Sequence, residues 1–209
     1  MQSPSNRPRS RGSYKKSEVS RRQVLEAAVK ALAKRGYAKT SVSDIAHAAG
    51  MSKGAVHYHF ESKDDLIARV LEHCAGVTRE RIQVAWDAPG GPAEKISRAI
   101  REMRLMRRNS TPELRVLADL AAQGLHDERL RSLLGRMFET NRKEMASYLV
   151  DSLIAMGVKP RIPPQIVPRL LLGALDGLAM HDYFDPPEAG DDVAVEQALQ
   201  AIGASLFEL

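Results

Sequence analysis

Residues 44–60, DIAHAAGMSKGAVHYHF, read as two short helices meeting at a glycine. In the first, Ile45, Ala46 and Ala49 return at helical spacing, with Val42 just upstream. Gly50 is the natural stop, because a β-carbon is disfavoured at the positive φ that such a corner needs. Ser52 is placed to cap the second helix, whose inward residues are Val56 and Phe60. The remaining surface of that helix carries Lys53, Gly54, Ala55, His57 and Tyr58, and no acid. Two helices joined by a short glycine corner form a helix-turn-helix, in which the second helix enters the DNA major groove. Such an edge can donate hydrogen bonds to phosphates and bases, and it carries no carboxylate for the backbone to repel. Glycine-cornered helix pairs also occur in proteins that never touch DNA, so the spacing alone leaves the function open.

Outward from this stretch, charge is the informative part of composition. The 209-residue chain has a net charge of +5. Residues 1–63 hold 13 Lys/Arg and 4 Asp/Glu, a net +9, while residues 64–209 are net −4. A basic module with an anionic partner, joined to a mildly acidic body, is expected. The chain is 44% hydrophobic and only 5% aromatic, which favours helix over sheet. No apolar run reaches membrane-span length, and MQSPSNRPRSRGSYKK at the N-terminus has no apolar segment behind it, so a cytoplasmic location with no membrane contact is expected. A single cysteine, Cys74, excludes an intramolecular disulfide and a multi-cysteine zinc site.

The pattern predicts an all-α fold of nine helices in three parts: a disordered basic tail over 1–16, a helix-turn-helix head over 17–63 and a helical body over 64–209. Gly36 stops the first helix, Thr40 or Ser41 caps the second, and Ser62 caps a long fourth helix through Trp86. The segment DAPGGP at 87–92 breaks that helix. Five more are expected at about 93–109, 112–124, 127–156, 163–184 and 191–207, with no strand alternation anywhere.

Three strings, TSVSDIA at 40–46, AGMSKGAVHYHF at 49–60 and SKDDL at 62–66, together resemble the N-terminal signature of the TetR family of transcriptional regulators. The resemblance is dense over residues 20–67; beyond them the chain agrees in helix number and length. It implies a nine-helix TetR-like fold that binds double-stranded operator DNA as a homodimer, with a ligand-binding body controlling the spacing of two heads. Carried over by matching position, Ser41, Ser43 and Ser52 would contact phosphates or an edge base, and Lys53, Gly54 and Ala55 would lie against bases. His57, Tyr58, His59 and Lys63 would mainly grip phosphate. His57 stands where the family most often has Tyr, and Ser43 reaches less far than the family's long polar residue. His59 can equally be a packed, hydrogen-bonded histidine. The alternation of His57 and His59 points them to different faces, so no metal site is expected.

In the body, residues 166–184 are apolar on more than one face, with Gly173 and Gly177 four apart. Together with 191–207 they could form half of a four-helix dimer interface through Leu170, Gly173, Ala174, Gly177, Leu178, Leu199 and Ile202; the alternative is that both helices close the monomer core. The family dimerises here, and GALDGLAM at 173–180 resembles the BetI-like subgroup. A ligand pocket could be lined by Met103, Met106, Met137, Phe138 and Met145, with Tyr148, Met180, His181 and Tyr183, although methionine also fills ordinary cores. Trp86 could touch ligand or simply pack.

The expectation is therefore a ligand-responsive repressor that releases its operator when a small molecule binds, with no cofactor and no enzymatic activity. The chain has no G-x-S-x-G, phosphate-cradling glycine loop or H-E-x-x-H, and Cys74 lacks an activating partner. The rival is a ligand-independent architectural or division-control protein on the same fold, with a filled body.

Overall fold

The computed structural model describes residues 11–188 and 190–208, with side chains from residue 17 onward. Among the described residues there are nine helices: α1 (Arg11–Arg35), α2 (Val42–Ala48), α3 (Lys53–His59), α4 (Lys63–Asp87), α5 (Pro92–Arg108), α6 (Pro112–Gly124), α7, α8 (Ile166–Phe184) and α9 (Asp191–Ser205). Helix α7 comprises Glu128–Met145, a π-helical turn at Ala146–Val150 and Asp151–Ala155. The expected all-α architecture is present. Of the tail expected over 1–16, residues 1–10 lie outside the described residues, and 11–16 open α1. No helix among the described residues is long and apolar enough to cross a membrane. The chain divides into two compact units at His73/Cys74, within α4.

In the first unit, the inward residues of four helix segments meet. Val24, Ala28 and Leu32 of α1, Ile45 and Ala46 of α2, Val56 of α3, and Leu66 and Ile67 of α4 are all buried, with Phe60 among them. The helix starts follow from local chemistry. Ser41 and Asp44 form a capping box on α2, while the Ser52 and Ser62 hydroxyls accept from the amides of Ala55 and Asp65 at 3.1 Å. Gly50 turns the corner at φ +66, which a β-carbon would strain. Gln23 Nε2 on α1 donates to the Ala49 carbonyl at 2.9 Å, satisfying one of the free acceptors at the end of α2. The corner is thus fixed from both sides.

The second unit packs α5 to α9 with the C-terminal half of α4. Its core includes Ile82, Trp86, Ile100, Met103, Leu153, Leu175 and Phe207. A β-carbon at Gly203 would overlap the end of the Ile100 side chain, so α9 lies close against α5 and a larger residue there would force Ile100 to move. Lys159–Pro160 pairs antiparallel with Phe207–Glu208. The sequence reading anticipated no strand, and two residues per strand are too few to leave an alternating pattern. The π-turn brings the Tyr148 hydroxyl onto the Asp87 carboxylate, and Trp86 Nε1 donates to Ser152 Oγ at 3.0 Å. The C-terminal end of α4 is held by these bonds together with Lys95 and Arg98 of α5, which donate to the Trp86 and Ala85 carbonyls at 2.6 and 3.0 Å.

Candidate nucleic-acid interface and ligand cavity

Helix α3 presents Lys53, Gly54, His57 and Tyr58 to solvent, Tyr58 with 64% of its surface exposed, while Val56 anchors the opposite side. Ala55 is half-buried. Ser43 and Ser52 are exposed beside this edge, and the Ser52 hydroxyl oxygen is engaged by the Ala55 amide. The one acid of the 44–60 stretch is occupied. Asp44 accepts from the Ser41 hydroxyl and from the Ser41 amide at 2.8 Å, and it pairs with Arg35 at 3.2 Å. The Ser41 bonds first, and Arg35 after them, hold its carboxyl below the usual range. Its charge is therefore balanced within the head.

Three of the residues singled out in the sequence are engaged by partners within the fold. Ser41 spends its amide and hydroxyl on the cap. Lys63 lies half-buried with Nζ 4.1 Å from the centre of the Tyr37 ring, a cation–π contact. His59 Nε2 lies 2.8 Å from Ser20 Oγ, whose own hydrogen goes to the Ser17 carbonyl at 2.9 Å. Ser20 can then only accept, so His59 carries its hydrogen on Nε2. Burial, with the nearby Arg21 charge second, pushes the His59 pKa below its ordinary 6.5. This histidine joins α3 to α1.

The second unit holds a cavity of about 750 Å³, a size typical of small-molecule sites. Ala75, Thr78, Arg79 and Ile82 of α4 form one wall, and α5, α6, α7 and α8 supply the others. Of the residues singled out in the sequence, Met106, Met137, Phe138, Met145, Met180 and Tyr183 line it. Trp86 and Met103 are core residues, Tyr148 lines a smaller hollow of about 170 Å³, and His181 is exposed elsewhere. Sequence reasoning missed the polar wall. Arg104, whose side chain is 5% exposed, pairs with Asp182 at 3.1 Å and with Asp192 at 3.0 Å. Arg107 holds Asp176 at 2.6 Å, and Arg79 reaches Asn141 at 2.9 Å and Glu144 at 2.8 Å. The available signal was an R-x-x-R spacing at 104 and 107 beside two core methionines, with Asp176 and Asp182 interrupting an otherwise apolar helix.

The outer face of α8 leaves Leu170, Gly173, Ala174 and Gly177 exposed, with Leu178 half-buried. Nothing lies within 4 Å of a β-carbon built on Gly173 or Gly177. On α9, Ile202 is exposed, whereas Leu199 turns into the core. Cys74 is buried, which raises its thiol pKa to about 12 and leaves it un-ionised and unreactive.

A helix-turn-helix unit followed by a helical unit around a cavity is the arrangement expected of a transcriptional regulator. Residues 24–70 match the family of bacterial regulatory proteins called tetR, and residues 92–206, over half the chain, match the BetI-type transcriptional repressor C-terminal family. The chain belongs to the TetR family of transcriptional regulators, with a BetI-type C-terminal domain; regulators of this family are non-enzymatic. It is 25% identical to the HTH-type transcriptional regulator PksA of Bacillus subtilis over 175 residues, 84% of each protein. Among solved structures, a protein of Rhodococcus sp. assigned as a TetR-family transcriptional regulator superposes with a TM-score of 0.76 at 21% identity, covering 91% of this chain and all of that one. A protein of Saccharomonospora viridis assigned as a transcriptional regulator, solved in complex with choline, superposes with a TM-score of 0.67 at 22% identity, covering 92% and 100%.

Proposed function

We propose that this chain is a homodimeric repressor that releases its operator when a small organic molecule enters the cavity of the C-terminal unit. The observation that carries the reading is that α4 lines the cavity with Ala75, Thr78, Arg79 and Ile82 and is the helix that begins directly after α3. A ligand that prefers one tilt of α4 would move the reading helices relative to the operator. A differential affinity worth about 1–3 kcal/mol would change operator affinity roughly 5–150-fold. The cavity weighs against the rival architectural protein with a filled body, and the choline bound to the similar S. viridis protein supports a small organic effector.

At the DNA, Lys53, Gly54 and Ala55 approach base edges, and Ser43, Ser52, His57 and Tyr58 contact phosphates. Ser41 and His59 position α2 and α3 through their internal bonds, and Lys63 serves phosphate from its seat on Tyr37. The exposed Leu170–Gly177 face of α8, with Ile202 of α9, is the dimer surface; Leu199 supports it from the core. Two heads are required because half-sites lie about 34–36 Å apart. The test is titration of the protein with duplex fragments from its own genomic neighbourhood, with and without candidate effectors. Binding that every effector leaves unchanged removes the effector role, and no binding to any fragment removes the operator role.

A further inference from the structure

The cavity wall holds five arginines, Arg79, Arg104, Arg107, Arg108 and Arg115, against two carboxylates, Asp176 and Asp182. Both carboxylates already hold arginines, and the remaining acidic partners of this set, Asp192 and Glu144, lie outside the wall. Arg79, Arg104, Arg107 and Arg108 are thus each paired, five arginines meet four carboxylates, and the excess positive charge is that of Arg115, whose Nε donates to Ser110 Oγ at 2.9 Å. Four of the five arginines come from residues 104–115, the end of α5 and the start of α6. The opposite character comes from Leu117, Ala121, Met137, Met145 and Leu175, an apolar and deformable surface. Arg104 is buried, and its Nη1 and Nη2 each give one hydrogen, to Asp182 and to Asp192. A guanidinium has five N–H donors, so three remain for an acceptor.

We infer that the effector is an amphipathic acid: an apolar body against α6, α7 and α8, with a carboxylate or similar anion on the Arg104 end. This rests on the reading of the cavity as the effector site. A quaternary ammonium fits poorly here. It would need an enclosing aromatic cage or an unpaired carboxylate, yet Phe138, Tyr183 and Phe184 are 45%, 77% and 74% exposed and both wall carboxylates are taken.

Calorimetric titration of the full chain with decanoate, decanol and decyltrimethylammonium compares three head groups on one tail. Decanoate is expected to bind about tenfold or more tightly than decanol, the difference expected of charge-assisted bonds, with the ammonium weakest. Arg104→Gln is expected to erase that preference. Because it also strips Asp182 and Asp192 of a partner, Arg115→Gln, a change at an exposed position, provides the second variant and is expected to narrow the preference severalfold. Decanol or the ammonium binding as tightly as decanoate overturns the acid class while leaving the cavity an effector site. Decanoate binding unchanged in both variants overturns the placement of the head group. If none of the three binds up to about 1 mM, the acid class falls, and the operator titration above decides separately whether the effector role survives.

Discussion

Replacing Arg104 with methionine keeps the length of the side chain and removes its charge. In the native fold this side chain is 5% exposed and holds Asp182 and Asp192, themselves 19% and 28% exposed, at 3.1 and 3.0 Å. Removing one member of a buried charge cluster costs about 3–5 kcal/mol, because the partners stay desolvated without compensation. Asp192 retains Arg108 at 2.7 Å, so the lower half of that range is expected, roughly 3–4 kcal/mol. Urea unfolding followed by circular dichroism measures it. Adding Asp182→Asn and Asp192→Asn should recover part of the loss, since the orphaned charges are then gone. A loss under about 1 kcal/mol, the level of an exposed pair, refutes the claim that this cluster fastens α5 to α8 and α9.

Phe60→Ala opens a cavity beneath α3 and is expected to lower stability by about 3–5 kcal/mol; a near-native melt would mean that this ring does not anchor the helix. The His59 pKa is depressed in the fold, so between it and the ordinary 6.5 the unfolded chain binds more protons. Stability of the wild type should therefore fall as pH drops below 6.5, over a window that closes at the native pKa, and His59→Gln should flatten that part of the profile. Parallel profiles for the two proteins would show that burial does not perturb this ring. Gly177→Arg meets nothing in the single chain, so the variant should melt normally yet sediment as a monomer. An intact dimer would move the interface off this face of α8.

Much of the head was legible because its signals are local. Gly50, the Ser41 and Ser52 caps and the Val56–Phe60 spacing each act within a few residues, so their order along the chain is their order in space. The helix limits were legible for the same reason: Pro92 and Pro112 open α5 and α6. The cavity was half legible. Methionine content marked Met106, Met137 and Met145, but composition could not separate them from Met103, which is core. The arginine wall escaped because the partners of Arg104 and Arg107 lie 69 to 88 residues away, and a helical arginine reads as solvated until the opposing Asp is placed. The seat of Lys63 on Tyr37, in the loop between α1 and α2, escaped likewise; His59 was legible as a packed, hydrogen-bonded alternative, but its partner Ser20 on α1 was not. The π-turn left no pattern in composition or spacing.

The role of the exposed edge of α3 is tested most directly by fluorescence anisotropy of operator-region duplexes across a range of salt, for the wild type and Lys53→Ala. The wild type should bind with log affinity falling linearly against log salt, and the variant should bind more weakly with a slope shallower by about one. Identical slopes, or no salt-dependent association with any duplex from the protein's own genomic neighbourhood, would contradict the account.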